Sequence, residues 1–264
     1  MDGRRVECDL GVARSWGAGP EVLFLSNPLA DPFGWSAPVR SDLVAAGYRV
    51  TTFDPRPQDH DWQSVVGCVD AFIRRGADSV ALVGWSQGAA VAQEVALRAE
   101  AHVGCAALLA TYGRQNELDK VLQEAWQRLV HGGDDLDCLR LALGLLTAFP
   151  PEQLADDDFV QHLRAIQPEW AGRPDPEARE RAATFISTYQ DRLPSLEQLS
   201  VPCLVMGFEL DTDTTAARAR EVARAVSTAR YVEVPGLGHA APISDPELVW
   251  PPVVDFLKEH HPAN

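Results

Sequence analysis

Apolar and polar positions along the 264-residue chain fall into two alternating rhythms. Short aliphatic or β-branched runs have the length of strands: VLFLS from Val22, YRVTTF from Tyr48, SVALV from Ser79, CAALLA from Cys105, PCLVMG from Pro202 and ARYVEV from Ala229. Between them, apolar residues at helical spacing predict helices at about 36–46, 62–76, 87–101, 214–227 and 246–260. Strand and helix in alternation predict an α/β domain around a mainly parallel sheet. An antiparallel strand around Arg5 to Val12 would complete it.

The rhythm breaks between Gly113 and Leu199. Leu118, Val121, Leu122, Ala125 and Leu129, then Leu139, Leu141, Leu143, Leu145 and Leu146, carry helical periodicity. An acidic turn at Asp156 to Asp158 and the proline-punctuated QPEWAGRPDP from Gln167 follow, without a strand-like run. This stretch predicts a helical insertion between two strands, placed as a lid. The expected organisation is a core over 1–112, a helical lid over 113–195 and the rest of the core over 196–264.

Composition narrows the partners. Hydrophobic residues make up 46% of the chain, enough for a sizeable core without a disulfide or metal staple. A formal net charge of −15 argues against nucleic acid or an anionic membrane surface, which would need clustered Lys and Arg. Cys8, Cys68, Cys105, Cys138 and Cys203 are scattered and odd in number, with no C-x-x-C pair, so free thiols are expected. The start MDGRRV lacks an apolar signal segment, and no apolar run reaches membrane-span length; a cytoplasmic protein is the expectation. Its state of oligomerisation is left open, a homo-oligomer included.

One stretch carries chemistry. Gly84-Trp85-Ser86-Gln87-Gly88 is G-x-S-x-G, placed where a predicted strand ends and a predicted helix begins. A serine on such a sharp turn needs small residues two positions away on either side, because neighbouring backbone passes close. Its hydroxyl then sits at the sheet's C-terminal edge, beside helix amides that favour developing negative charge. A serine hydroxyl at neutral pH needs an imidazole to take its proton and a carboxylate to orient that imidazole. His239, in the glycine-flanked PGLGH after the last strand, is the expected base. The acid lies in FELDTD after the preceding strand, where Asp211 is the first choice and Asp213 the second, with Glu209 in the same loop.

These pieces resemble the α/β-hydrolase fold, and the resemblance spans nearly the whole chain. It is carried by FLSNPLADPFGW (Phe24 to Trp35), FDPR (Phe53 to Arg56), GWSQG, GFELD (Gly207 to Asp211) and PGLGH. The first of them is similar to the oxyanion segment of 3-oxoadipate enol-lactonases and related esterase-like members. The resemblance implies Ser86 as nucleophile, Asp211 as orienting acid, His239 as base and a helical cap between strands six and seven. It also implies the Gln87 backbone N–H as one oxyanion donor. The second would fall on Pro28, which has no N–H, so either the Asn27 or Leu29 N–H, or the Asn27 side chain, takes over, or the site does not stabilise a tetrahedral oxyanion in the usual way.

Phe33, Trp35 and Trp85 flank this centre and are the candidate substrate contacts; Trp126, Phe149, Phe159, Trp170, Phe185 and Tyr189 lie in or beside the lid, where packing is their commoner use. Arg56 reads equally as a site cation or a surface ion-pair partner. No phosphate-binding glycine motif or His-Cys cluster appears, so cofactor-free chemistry is expected. The expected activity is hydrolysis of an ester, lactone or thioester of a medium-sized organic acyl substrate. Pro28 motivates a second reading, a cyclase, dehydratase or acyltransferase of specialised metabolism using the same residues without net hydrolysis. A third is a noncatalytic ligand-binding protein on the same fold.

Overall fold

Each of the six apolar runs forms a strand, and with two N-terminal strands they build one eight-stranded sheet. The structure is a computed structural model that describes residues 3–26, 36–56, 61–76, 78–132, 136–170 and 188–263. Its strands are β1 (Arg4–Cys8), β2 (Gly11–Trp16), β3 (Glu21–Leu25), β4 (Arg49–Pro55), β5 (Val80–Trp85), β6 (Val103–Leu109), β7 (Cys203–Phe208) and β8 (Ala229–Val234). They lie in the order β1-β2-β4-β3-β5-β6-β7-β8. The pairings from β4 to β8 are parallel, while β1 and β2 form an antiparallel hairpin that joins the sheet through β2 and β4. The single strand expected around Arg5 to Val12 is thus the first half of a hairpin. Its second strand begins at Gly11, whose φ of +149° lets the chain turn where a Cβ would meet the Asp54 carbonyl at 2.1 Å.

Central position explains the apolar runs. All six residues of β5 are buried between β3 and β6, so this strand shows no alternation in its sequence. Helices α1 (Ser36–Ala45), α2 (Trp62–Arg74) and α3 (Gln87–Arg98) connect the strands of the first half. One core layer packs α2 and α3 on the sheet through Trp62, Val65, Val69, Leu82, Val91 and Val95. The other packs Trp250, Val253, Phe256 and Leu257 of the C-terminal helix against Phe24, Val83 and Leu109. The five cysteines are free thiols.

Between β6 and β7 the described chain is helical: α4 (Glu117–His131), α5 (Asp137–Ala148), α6 (Pro151–Leu154), α7 (Asp157–Trp170) and α8 (Leu193–Leu196). This is the insertion that the broken rhythm predicts. A buried ion pair ties each of its ends to the core. At its start, Arg218 donates to Asp119 Oδ1 at 2.8 Å and to the Arg114 carbonyl, and its guanidinium lies over the Tyr112 ring. Asp119 also closes a capping box with Asn116, so one carboxylate serves both the helix start and the anchor. At its return, Arg192 pairs with Glu94 of α3, and its N–H donates to the Gly113 carbonyl at 2.7 Å. The chain then completes α9 (Ala216–Ala225), α10 (Ala241–Ser244) and α11 (Pro246–His260).

Candidate active site

At the C-terminal edge of β5 the chain reverses into α3 through Ser86, whose φ of 57° and ψ of −123° are unusual for a residue with a Cβ. Such backbone is kept only where the surroundings over-determine it. Here they do. A Cβ on Gly84 would stand 2.5 Å from the Ala89 Cα, and one on Gly88 would stand 2.0 Å from the Leu25 carbonyl oxygen and 2.3 Å from that of Ser26. Both glycines are therefore demanded by close backbone approach, with no left-handed φ at either. Gln87 opens α3, so its N–H has no acceptor within the helix and lies beside Ser86.

Two loops bring the partners. After β7, the Asp211 N–H bonds back to the Phe208 carbonyl, and after β8 the chain turns at Gly236, with φ of +73°. The loops are stitched to each other: the Leu210 N–H donates to the Leu237 carbonyl at 2.9 Å, and the Gly236 N–H to Glu209 Oε2 at 2.9 Å. Glu209 is thereby occupied as a loop tie. His239 Nδ1 lies 2.8 Å from Asp211 Oδ2, and its Nε2 lies 3.0 Å from Ser86 Oγ. A carboxylate only accepts, so in the neutral ring Nδ1 carries the proton and Nε2 presents a lone pair to the serine.

Asp211 is 3% exposed, and its Oδ1 takes the N–H groups of Asp213 and Thr214 at 2.9 and 2.7 Å. Every side of that carboxylate is satisfied. Burial pushes its carboxyl up from the ordinary range, opposed by attraction to the His239 ring and by the backbone donor at Thr214. Burial pulls the His239 imidazole down, but the carboxylates of Asp211 and Asp213 outweigh it and raise the ring to about 9. Asp213 Oδ2 lies 3.4 Å from Nε2, on the serine side of the ring. The acid that was second choice from sequence is thus a neighbour of the other nitrogen.

Trp85 lies elsewhere than on an open wall. It is 6% exposed, packs in the core with its ring centre 5.8 Å from that of His239, and donates its indole N–H to the His239 carbonyl at 3.1 Å. It positions the histidine loop. Asn27, Pro28, Leu29, Phe33 and Trp35 lie outside the described residues. Arg56 pairs with Glu7 at 3.1 Å on the exposed sheet edge. Tyr189 packs edge-on to Trp62 and Tyr112 beneath the insertion, and Phe149 packs on Phe159 within it. A cavity of about 340 Å³ lies between the insertion and the acid loop, lined by Leu146, Phe149, Leu154, Leu210 and Thr212.

Residues missed in the sequence support these. Gln93 donates to the Tyr112 carbonyl beneath the site, and the Ala240 N–H reaches across to the Ala148 carbonyl, joining the histidine loop to the insertion. Neither contact leaves a sequence signal, since both depend on partners distant in the chain. Among the described residues no group of three or more His, Cys, Asp or Glu is placed to hold a metal ion, and no helix is long and apolar enough to cross a membrane.

Comparison with known proteins agrees with this architecture. BpoC of Mycobacterium tuberculosis, a protein named as a non-heme bromoperoxidase, is 30% identical over 250 residues, covering 91% of this chain and 95% of that one. Its crystal structure superposes with a TM-score of 0.85 at 28% identity, over 98% of this chain and 99% of that one. The enol-lactonase of Burkholderia xenovorans LB400 shares the fold, with a TM-score of 0.78 at 20% identity over 97% of this chain and 100% of that one. So does a thermophilic esterase of Thermogutta terrifontis, with a TM-score of 0.80 at 19% identity over 98% of this chain and 99% of that one. A family model described as the alpha/beta hydrolase family matches residues 15–251, and with the strand order and the elbow at Ser86 this shows that the chain belongs to that family.

Proposed function

We propose that the protein is a serine hydrolase that cleaves an ester, lactone or thioester by way of an acyl-enzyme. The observation that carries this reading is the continuous relay from Ser86 Oγ through both nitrogens of His239 to a sealed Asp211, at 3.0 and 2.8 Å. Nε2 takes the hydroxyl proton as Oγ attacks the carbonyl, and the imidazolium returns that proton to the leaving oxygen or sulfur. The acyl group remains on Ser86. Water, deprotonated by the same nitrogen, then attacks the acyl-enzyme, and the free acid and the serine hydroxyl are regenerated. Asp211 holds the Nδ1 proton in place and steadies the imidazolium.

The oxyanion takes the Gln87 N–H and a donor from Asn27 or Leu29. The chemistry calls for no cofactor. The helical insertion acts as a lid over a small-molecule acyl substrate.

A fluorophosphonate probe tests this directly. Intact mass shows one adduct on the wild-type protein, none on Ser86→Ala, and slow formation on His239→Ala; turnover of an activated ester falls by roughly 10⁶ in Ser86→Ala. Because the free base prevails only above a pH of about 9, labelling speeds up as the pH rises towards that value. Wild-type protein that stays unlabelled across that range refutes the reading.

A second reading takes its support from the relationship to BpoC. Hydrogen peroxide in place of water would open the acyl-enzyme to a peracid and free serine, and the peracid would oxidise bromide to hypobromite as it returns to the carboxylic acid. Bromination of a phenol dye that requires acetate, peroxide, bromide and Ser86 together would support it. Bromination that persists in Ser86→Ala would rule it out.

A further inference from the structure

The relay leaves one charged group beside the reacting atoms without a task. Asp213 Oδ2 stands 3.4 Å from Nε2, while Ser86 Oγ stands 3.0 Å from that same nitrogen. The two acids of the loop differ in their surroundings: the Asp211 side chain is sealed, whereas that of Asp213 is 35% exposed. Its backbone is fixed, because the Asp213 N–H is bound to Asp211 Oδ1. The charges facing His239 are Asp211 and Asp213 from the acid loop and Arg218 from α9. Arg218 is committed to Asp119 and to the Arg114 carbonyl, and lies over the Tyr112 ring.

A carboxylate oxygen at that distance repels the Nε2 lone pair that the serine needs and attracts the proton of the imidazolium. Asp213 therefore favours the state of His239 that cannot accept the serine proton. Nε2 also delivers the proton to the leaving group, so a leaving group must come within reach of the atom that Asp213 neighbours. A cation there would pair with the carboxylate and draw it from the ring.

We propose that Asp213 is the specificity-determining carboxylate of this site, selecting esters whose leaving alcohol carries an ammonium group and freeing His239 as that group binds. The inference rests on the serine-hydrolase reading above. Recognition and activation are then one event, since the group that identifies the substrate also releases the base. Leaving groups that carry a carboxylate are disfavoured for the same reason.

The test compares butyrylcholine with its uncharged carbon isostere, 3,3-dimethylbutyl butanoate, by titration of released acid on wild-type, Asp213→Asn, Asp213→Ser and Ser86→Ala proteins. For the wild type at neutral pH, kcat/KM favours the cationic ester by about tenfold. In both Asp213 variants the ratio falls to within about twofold of unity, and the rising limb of kcat/KM for the neutral ester moves to lower pH, because the imidazolium has lost a stabilising charge. A purely structural Asp213 would depress both esters equally and leave the pH limb in place, which overturns the proposal. So does a wild-type protein that labels at Ser86 yet shows no preference for the cationic ester. Failure of labelling itself strikes the hydrolase reading instead, and so separates the two.

Discussion

Helices α3 and α5 have 12 residues each, and both are largely apolar, yet they lie in different surroundings. α3 buries nine consecutive residues, Gly88 to Ala96, between the sheet and α2. α5 is richer in leucine and has no fully buried residue, and its Leu139 and Leu146 are 52% and 64% exposed. The comparison teaches that burial is set by what covers a segment rather than by its apolar content. Ser86 stands at the head of the helix that the whole core over-determines. Among the described residues the insertion is joined to the core by its two ion-paired ends, the Ala240 to Ala148 backbone bond, the Thr212 hydroxyl that donates to the Leu146 carbonyl at 3.1 Å, the Gln153 amide that donates to Asp245, and the packing of Tyr189 on Trp62.

Substitutions can break this contrast or sharpen it. The largest effect is expected at Gly88→Ala, where the added methyl meets backbone oxygen at 2.0 Å and the strained turn cannot yield. Loss of about 3 kcal/mol or more, read as a lowered Tm together with lost labelling of Ser86, is the expected outcome. An unchanged Tm would mean that the elbow is less constrained than the geometry requires.

Next comes Arg218→Met, which strands the buried Asp119 at the start of the insertion. It costs about 3 kcal/mol and exposes the chain near Arg114 and Lys120 to trypsin. Adding Asp119→Leu to the same protein removes the stranded charge and recovers part of that loss, although the capping box goes with it. A double variant no more stable than Arg218→Met would show that the anchor acts through the cap rather than the ion pair.

The smallest effects belong to the outer face of the insertion. Val121→Ser and Leu139→Ser change stability by no more than about 0.5 kcal/mol, since both side chains stand mainly in water. A loss of several times that size in chemical denaturation would show that this face is covered in solution, and would narrow the difference between α3 and α5.

Much of the fold is legible in the sequence because its signals are local. The all-apolar β5 announces a central strand, and GWSQG announces a turn on which a side chain sits exposed to chemistry. β2 is less legible: GVARSW is buried only over its first three residues and reads as a continuation of β1 until Gly11 is seen to turn. Trp85 illustrates the opposite failure. Adjacency to Ser86 suggests a substrate contact, but Trp85 is the last residue of β5 and Ser86 already stands on the turn beyond it, and this ring belongs to the core beside His239.

The chain alone determined the alternation of strand and helix, the place of the insertion, the serine on its glycine-flanked turn and a histidine loop after the last strand. All of these follow from local periodicity and from the steric needs of a tight turn. Only the tertiary structure decided among Glu209, Asp211 and Asp213. Three carboxylates within five residues are equivalent to any local rule, and their roles separate only when a loop 28 residues further along the chain brings His239 between them. Glu209 then ties the loops, Asp211 meets Nδ1 and Asp213 meets Nε2. The physical reason is that charge acts over a few ångströms of space, and which charges share that space is settled by packing rather than by order in the chain.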